Sequence, residues 1–307
     1  MTNIVVIGSL NVDLVALVPR VPHHGETLLG TRYFTAYGGK GANQAYAAAK
    51  LGGEVAMLGR VGSDEYGRQM CVNLQSVGCD VTGIKSVEGS SGVAMIFVAE
   101  TGQNCIVVVP GANHRYLPSD LIGDDALLTH ARFVMLQLEV PVETVLAAAG
   151  RARAHGAQVI FDPAPALPDL PPDLLKQIDL ITPNESEAAQ LIGLPPGDLT
   201  LDDAESIARK IQAMGTQSVI IKMGAQGCLL ADGPMISRIP APQVKAIDTT
   251  AAGDIFNATL AVARSEGATI LNACEFAAHA AALSVTRYGA QESAPSRDEL
   301  NSAWRPS

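Results

Sequence analysis

Positive charge is scarce in this chain: 21 Lys and Arg stand against 31 Asp and Glu, a formal net charge of −10. That balance argues against bulk binding to nucleic acid or to an anionic membrane, although a few local donors suffice for one small anion. No stretch approaches the ~20 consecutive apolar residues of a membrane span. Residues 1–8 lack a basic leader segment and read as a strand, not a signal peptide. The five cysteines (Cys71, Cys79, Cys105, Cys228, Cys274) are scattered, with no Cys-x-x-Cys or Cys/His spacing. Neither a disulfide framework nor a zinc site is indicated, and a reducing cytoplasm fits. The six histidines show no metal or triad pattern: His23-His24 falls in a loop, and His279 in a helical stretch where packing is expected. No Gly-x-Ser-x-Gly elbow supports a serine hydrolase. Internal repeats and low-complexity linkers are also missing.

What is present is globular: 307 residues, 48% hydrophobic and 17% charged, enough for one large domain with an elaboration or for two domains. Short Val/Ile/Leu runs at 4–7, 55–58, 133–138, 159–161, 180–182 and 218–222 suit strands buried on both faces of a parallel sheet. Helical patterns at 41–51, 66–77, 142–155, 201–214 and 270–286 intervene. The alternation implies an α/β fold, a mostly parallel central sheet sandwiched by helices. Two segments break the rhythm. Residues 15–37 carry Pro19, Pro22, Gly25 and Gly30 among alternating apolar residues, and 92–110 read as a hairpin. They predict a small antiparallel β lid inserted into a body made of 1–14, 38–91 and 111–307. A sheet with no covering helices must bury its apolar face against a ligand, a second subunit, or both.

Four constellations and one helix start could carry chemistry. Asp248-Thr249-Thr250-Ala251-Ala252-Gly253-Asp254 opens a long apolar helix. Its small residues leave backbone N–H groups accessible to an anion, and Asp254 in the first turn can act as a general base or as a simple helix cap. Gly38-Gly39-Lys40-Gly41-Ala42-Asn43-Gln44-Ala45 allows close backbone approach around one lysine. No Ser or Thr follows Lys40, so the phosphate-loop ATPase pattern fails, and Gln44 stands where a dinucleotide fingerprint needs its third glycine. A purely structural turn remains open. Gly8-Ser9-Leu10-Asn11-Val12-Asp13 follows the first strand, and alternation puts Asn11 and Asp13 on one side, suited to vicinal hydroxyls or to an Asx-turn. In Thr182-Pro183-Asn184-Glu185-Ser186-Glu187, Asn184 and Glu187 fit a capping box or a carboxylate near hydrated magnesium. Lys222-Met223-Gly224-Ala225-Gln226-Gly227-Cys228 is a plain turn or the edge of a nucleotide pocket.

Taken in this order, and with Val285 to Ser293 closing the set, these stretches resemble the ribokinase branch of the ribokinase-like (PfkB) sugar kinase family over nearly the whole chain. The resemblance implies transfer of the ATP γ-phosphoryl group to a pentose hydroxyl, the 5-hydroxyl for D-ribose. Asp254 would be the base, with the N–H groups of Ala251, Ala252 and Gly253 stabilising the transferring group. Asn11, Asp13, Gly39, Lys40, Gly41, Ala42, Asn43 and Glu139 would hold the sugar together with Asp254. Asn184, Lys222, Met223, Gly224, Ala225, Gln226, Gly227, Gly253 and Ala278 would meet ATP, and Glu187 the hydrated Mg2+. Asp248, Thr250, Ser284, Arg287, Gly289 and Ser293 match positions that hold an activating K+, mostly through carbonyl oxygens. Homodimerisation through the lid sheet is expected from its uncovered face. The wider family commonly has Gly-Ala-Gly-Asp where this chain has Ala251-Ala252-Gly253-Asp254; a β-carbon there costs roughly 1 kcal/mol only if φ is positive. Asn11 favours ribose over 2-deoxyribose, because a buried amide left unpaired costs about 1–3 kcal/mol. The rivals are a family kinase for deoxyribose, a nucleoside or another sugar, and a catalytically silent sugar-binding protein; a dehydrogenase is disfavoured by the failed dinucleotide pattern.

Overall fold

Near-continuous apolar strands dictate a sheet covered on both faces, and the computed structural model has one. It describes residues 2–167 and 169–303; residues 1, 168 and 304–307, which the domain ranges above take in, lie outside the described residues. In chain order the strands are β1 (Ile4–Ile7), β2 (Asn11–Val18), β3 (Arg32–Gly38), β4 (Val55–Gly62), β5 (Asp80–Val87), β6 (Gly92–Ala99), β7 (Asn104–Val109), β8 (Phe133–Leu136), β9 (Gln158–Phe161), β10 (Leu180–Ile181), β11 (Ser218–Lys222), β12 (Cys228–Asp232) and β13 (Met235–Ile239). The helices are α1 (Lys40–Lys50), α2 (Glu65–Ser76), α3 (Asp125–Leu128), α4 (Val142–Ala154), α5 (Glu185–Leu191), α6 (Leu201–Ala213), α7 (Ala252–Ser265), α8 (Ile270–Ser284) and α9 (Arg297–Ala303).

The main sheet has nine strands in the order β13-β12-β11-β10-β9-β8-β1-β4-β5. It is parallel from β11 to β5. All six strands expected from the apolar runs lie in that parallel part. The β12–β13 hairpin adds an antiparallel edge that the sequence reading did not anticipate. Alternation along β1 explains why every residue there is apolar. Ile4 and Val6 pack with α1, α7 and α8, whereas Val5 and Ile7 pack with α4 and α6 on the other face. Each such side chain contributes roughly 1.5–3 kcal/mol through burial, so a polar replacement in β1 breaks one of two cores.

The inserted sheet has four strands in the order β3-β2-β6-β7. It is antiparallel within each hairpin and parallel at the β2–β6 seam. β2 starts at Asn11, so Asn11 and Asp13 belong to this sheet and project from the same face. Tyr33, Phe34, Met95 and Ile106 to Val109 are exposed on it. At the level of layers the architecture is the expected one: helices on both faces of a mostly parallel sheet, with a small sheet projecting from the strand ends.

Candidate active site

Two helices lacking any side-chain N-cap meet where the small sheet joins the body. Asp64, Thr200 and Thr269 cap α2, α6 and α8 with side-chain oxygens, but α1 and α7 begin at Gly39 and Ala251, with no side-chain cap bond. Gly39 has φ 87°, and a β-carbon there would come within 2.8 Å of the Asn11 amide nitrogen. A β-carbon at Gly41 would come within 2.7 Å of the Gly8 carbonyl carbon. Glycine at both positions is what lets α1 lie against the β1–β2 link. Ala251 has φ 59°, the one non-glycine residue with positive φ among those described. The condition under which its β-carbon is costly is therefore met, and the strain sits at the start of α7.

Asp254 is the third residue of α7 and is buried. Asn43 Nδ2 donates to its Oδ2 at 3.0 Å, and Gln44 Nε2 donates to its Oδ1 at 3.1 Å. Both donors come from the first turn of α1, so the carboxylate is fixed by a helix more than two hundred residues away in sequence. Gln44 Nε2 also donates to Asp162 Oδ2 at 3.2 Å, and Gln44 Oε1 accepts from Gln137 Nε2 at 2.7 Å. Gln291 Nε2 in turn donates to Asn43 Oδ1 at 3.2 Å. The Lys222 ammonium pairs with Asp162 at 3.1 Å. Gln44, Gln137, Asp162 and Gln291 were not singled out from sequence. The signal for Gln44 was its place one residue after Asn43 in an opening helical turn; the others carry none.

Charge at this junction is dense and buried. Burial pushes the Asp254 carboxyl upward, while Lys40 and the two amide donors pull it back toward the ionised form. Burial works against the Lys40 ammonium, but Asp254, Asp162, Glu139 and Glu187 outweigh it and hold the lysine charged above its usual range. Glu187 is raised by burial and opposed by Lys222. Its carboxylate also accepts from the Asn184 amide at 2.8 Å, and the Glu187 amide donates back to Asn184 Oδ1 at 2.8 Å. The capping box and a cavity-facing carboxylate thus coexist, since both residues line a large cavity at this junction.

That large cavity, of about 640 Å³, runs past Lys40, Asn184, Glu187, Lys222, Gly224, Ala225, Gly227, Gly253, Asp254 and Ala278. Two expected ATP residues do not line it. Met223 is buried in the core beneath the turn, because it alternates with Lys222 at the strand end, and Gln226 is exposed outside the lining. The loop through Pro242, Gln243 and Val244 lines it too, a stretch without a sequence signal.

The smaller cavity, of about 250 Å³, is bounded by Asn11, Val108, Asn113, His114, Glu139 and Pro165 among others. It adjoins the first through Lys40, whose amide donates to Glu139 Oε2 at 3.0 Å. Ser9 Oγ donates to the same oxygen at 2.5 Å. Burial, then the charges of Glu139 and Glu292, push the Asp13 carboxyl up to about 7. Gly41, Ala42 and Asn43 are buried in the first turn of α1 beside this junction.

The residues expected around a monovalent cation are partly brought together. Asp248 Oδ1 accepts from the Thr250 amide at 2.9 Å and hydroxyl at 2.6 Å, and Asp248 Oδ2 accepts from the Gly289 amide at 3.0 Å. The Ile247 and Asp248 amides both donate to the Val285 carbonyl, at 2.7 and 3.2 Å. The side chains of Ser284 and Ser293 bond to the carbonyls of Ala281 and Ala290, and Arg287 turns away to Glu299 at 2.7 Å. What remains available from that loop is carbonyl oxygen.

Comparison with known proteins places this geometry among relatives. A family model described as pfkB family carbohydrate kinase matches residues 1–297. A ribokinase of Haemophilus influenzae is 40% identical, covering 97% of this chain and 96% of its own. A deoxyribokinase of Salmonella typhi is 38% identical, covering 97% of each. The structure of Arabidopsis thaliana ribokinase complexed with ribose and ATP superposes with a TM-score of 0.91 at 34% identity, covering 99% of both chains.

Proposed function

The chain belongs to the pfkB family of carbohydrate kinases, and from that premise we propose that it transfers the γ-phosphoryl group of ATP to the 5-hydroxyl of D-ribose. The observation that carries the reading is the position of Asp254: buried, held by Asn43 and Gln44, and lining the large cavity together with Lys40, whose amide bonds Glu139 of the small one. A nucleotide fits the 640 Å³ cavity and a pentose the 250 Å³ one. The hydroxyl oxygen bonds to the γ-phosphorus, the bond to the ADP oxygen breaks, and the hydroxyl proton passes to Asp254. Phosphoryl transfer asks mainly for positioning and charge stabilisation. Lys40, Lys222 and the start of α7 at Ala251, Ala252 and Gly253, where the Ala252 amide is bonded to the Thr249 carbonyl at 3.3 Å, supply positive potential. Asn11, Asp13, Gly39, Lys40, Asn43 and Glu139 hold the sugar in this reading.

Asn184 and Glu187 face the phosphate end of the large cavity, and a half-buried carboxylate beside two lysines suits a hydrated Mg2+. When bound, that ion neutralises charge on the β- and γ-phosphates. With the Asp248 carboxylate held by Thr250 and Gly289, the Asp248–Thr250 and Gly289 loops offer carbonyl oxygen, a donor type in keeping with K+. Replacing potassium with tetramethylammonium should lower turnover; unchanged turnover contradicts the cation assignment. A cytoplasmic location accords with five free cysteines. No described helix is long and apolar enough to cross a membrane. The exposed apolar residues of the small sheet support its role as a lid and as the contact between two subunits.

Phosphorylation of 2-deoxyribose is the second reading, favoured by the deoxyribokinase relative. The buried Asn11 amide beside the small cavity weighs toward ribose. ATP consumption with D-ribose against 2-deoxy-D-ribose separates the two; no ADP release with any sugar would favour a silent sugar-binding protein.

A further inference from the structure

The polarity of one backbone residue fixes the orientation of a side chain in the small cavity. Asn113 lies in a 3-10 turn after β7 (Gly111–Arg115) and is 1% exposed. The Leu10 amide donates to Asn113 Oδ1 at 2.9 Å, and Asn113 Nδ2 donates to the Leu10 carbonyl at 3.1 Å. A backbone N–H can only donate and a backbone carbonyl can only accept, so the Asn113 amide has a single consistent orientation. Its remaining N–H is directed at Asn11 Oδ1, at 2.8 Å. The oxygen of Asn11 is thereby engaged. Among the described residues its nitrogen has no partner, and Asn11 lines the small cavity.

Gly92 protects this arrangement. A β-carbon there would come within 2.1 Å of Asn11 Oδ1 and 2.3 Å of Asn113 Nδ2. The two amides are packed against its backbone, and neither can swing aside in that direction.

We propose that Asn113 is a positioning residue for sugar specificity: it locks Asn11 with its amide nitrogen toward the small cavity, so that the ligand there must present an acceptor oxygen. The inference rests on the reading that this cavity takes the pentose, with the C2 oxygen as the acceptor. A hydroxyl at C2 can accept from Asn11. A hydrogen cannot, and leaves a buried donor unpaired. An ammonium at C2 offers only donors and sets N–H against N–H.

The test is kcat/KM for D-ribose, 2-deoxy-D-ribose and protonated 2-amino-2-deoxy-D-ribose, with the wild type, Asn113→Ala and Asn113→Asp, each checked by thermal midpoint. The wild type should prefer ribose and use the ammonium sugar less well than the deoxy sugar. Asn113→Ala frees Asn11 to turn, so the ribose-to-deoxyribose ratio should shrink by at least about fivefold, the lower bound set by one unpaired buried donor. Asn113→Asp keeps the side-chain length, sets an acceptor against the Leu10 carbonyl and so lowers the thermal midpoint, but accepts from Asn11 Nδ2, turning the Asn11 oxygen to the sugar, and should improve use of the ammonium sugar relative to the deoxy sugar. Equal losses on ribose and deoxyribose in a folded Asn113→Ala, or a wild type that turns over the ammonium sugar as well as ribose, overturn the proposal. The latter comparison needs no variant to fold. A wild type that phosphorylates no pentose sinks the kinase reading and this inference together; a wild type active on ribose with an unchanged Asn113→Ala ratio sinks this inference alone.

Discussion

Asp13 is the residue whose chemistry is most exposed to pH. Its carboxyl is half-buried near Glu139 and Glu292 and pushed up to about 7 from an ordinary value of 3.8. An acid whose folded value is raised favours the protonated native state. Its contribution to stability is fully present below about 4 and is lost as pH rises through about 7. Above that window the ligand-free protein carries the cost of a half-buried, crowded carboxylate, on the order of a few kcal/mol. Asp13→Asn should therefore raise the denaturation midpoint at pH 8 and do little at pH 4.5. A stabilisation of equal size at both values contradicts the assignment. In the wild type the sugar KM should rise below pH 7, where the carboxylate loses its capacity to accept hydroxyl hydrogen bonds.

At the scale of the element, the start of α7 is the informative case. Ala251 occupies a left-handed conformation, φ 59°, that costs an L-residue roughly 1 kcal/mol and a glycine almost nothing. Ala251→Gly should raise stability by up to about 1 kcal/mol, less whatever the unfolded chain gains in freedom, and leave turnover within a few fold. A clear loss of stability shows that the β-carbon packs usefully instead. The expected strands lay where the parallel sheet lies, because burial on both faces demands uninterrupted apolar residues such as Ile4 to Ile7. β5 and β13 were not legible for the opposite reason. They are the edge strands, where polar residues such as Lys85 and Arg238 break the pattern, whereas β12 between β13 and β11 is buried and apolar from Cys228 to Ala231 and was missed all the same. In the site, Lys40, Asn43, Asn184 and Asp254 stood out because each lies in a local run of glycines, caps or small residues. Gln44, Gln137, Asp162 and Asn113 did not. Their roles arise from pairings 60 to 210 residues apart that no local spacing encodes.

For the whole molecule, the question is what covers the small sheet. β7 is exposed along its length, and Ile106 and Val107 project from opposite faces of it. Two copies packed sheet to sheet would bury one face of that surface and close the mouth of the small cavity, to which Val108 contributes. The double variant Ile106→Lys with Val107→Lys places a charge on each face. It should yield a folded monomer by light scattering, with a raised sugar KM; a wild-type mass of one subunit, or a variant that still dimerises, contradicts the lid-mediated contact.

Proton removal by Asp254 from a sugar hydroxyl in the small cavity is the claim on which catalysis rests, and Asp254→Asn addresses it directly. The replacement keeps the shape and removes the base. Turnover of D-ribose, followed as ADP release, should fall by about 10²–10⁴-fold, while ATP binding by calorimetry stays close to that of the wild type. Turnover within a few fold of the wild type contradicts the account.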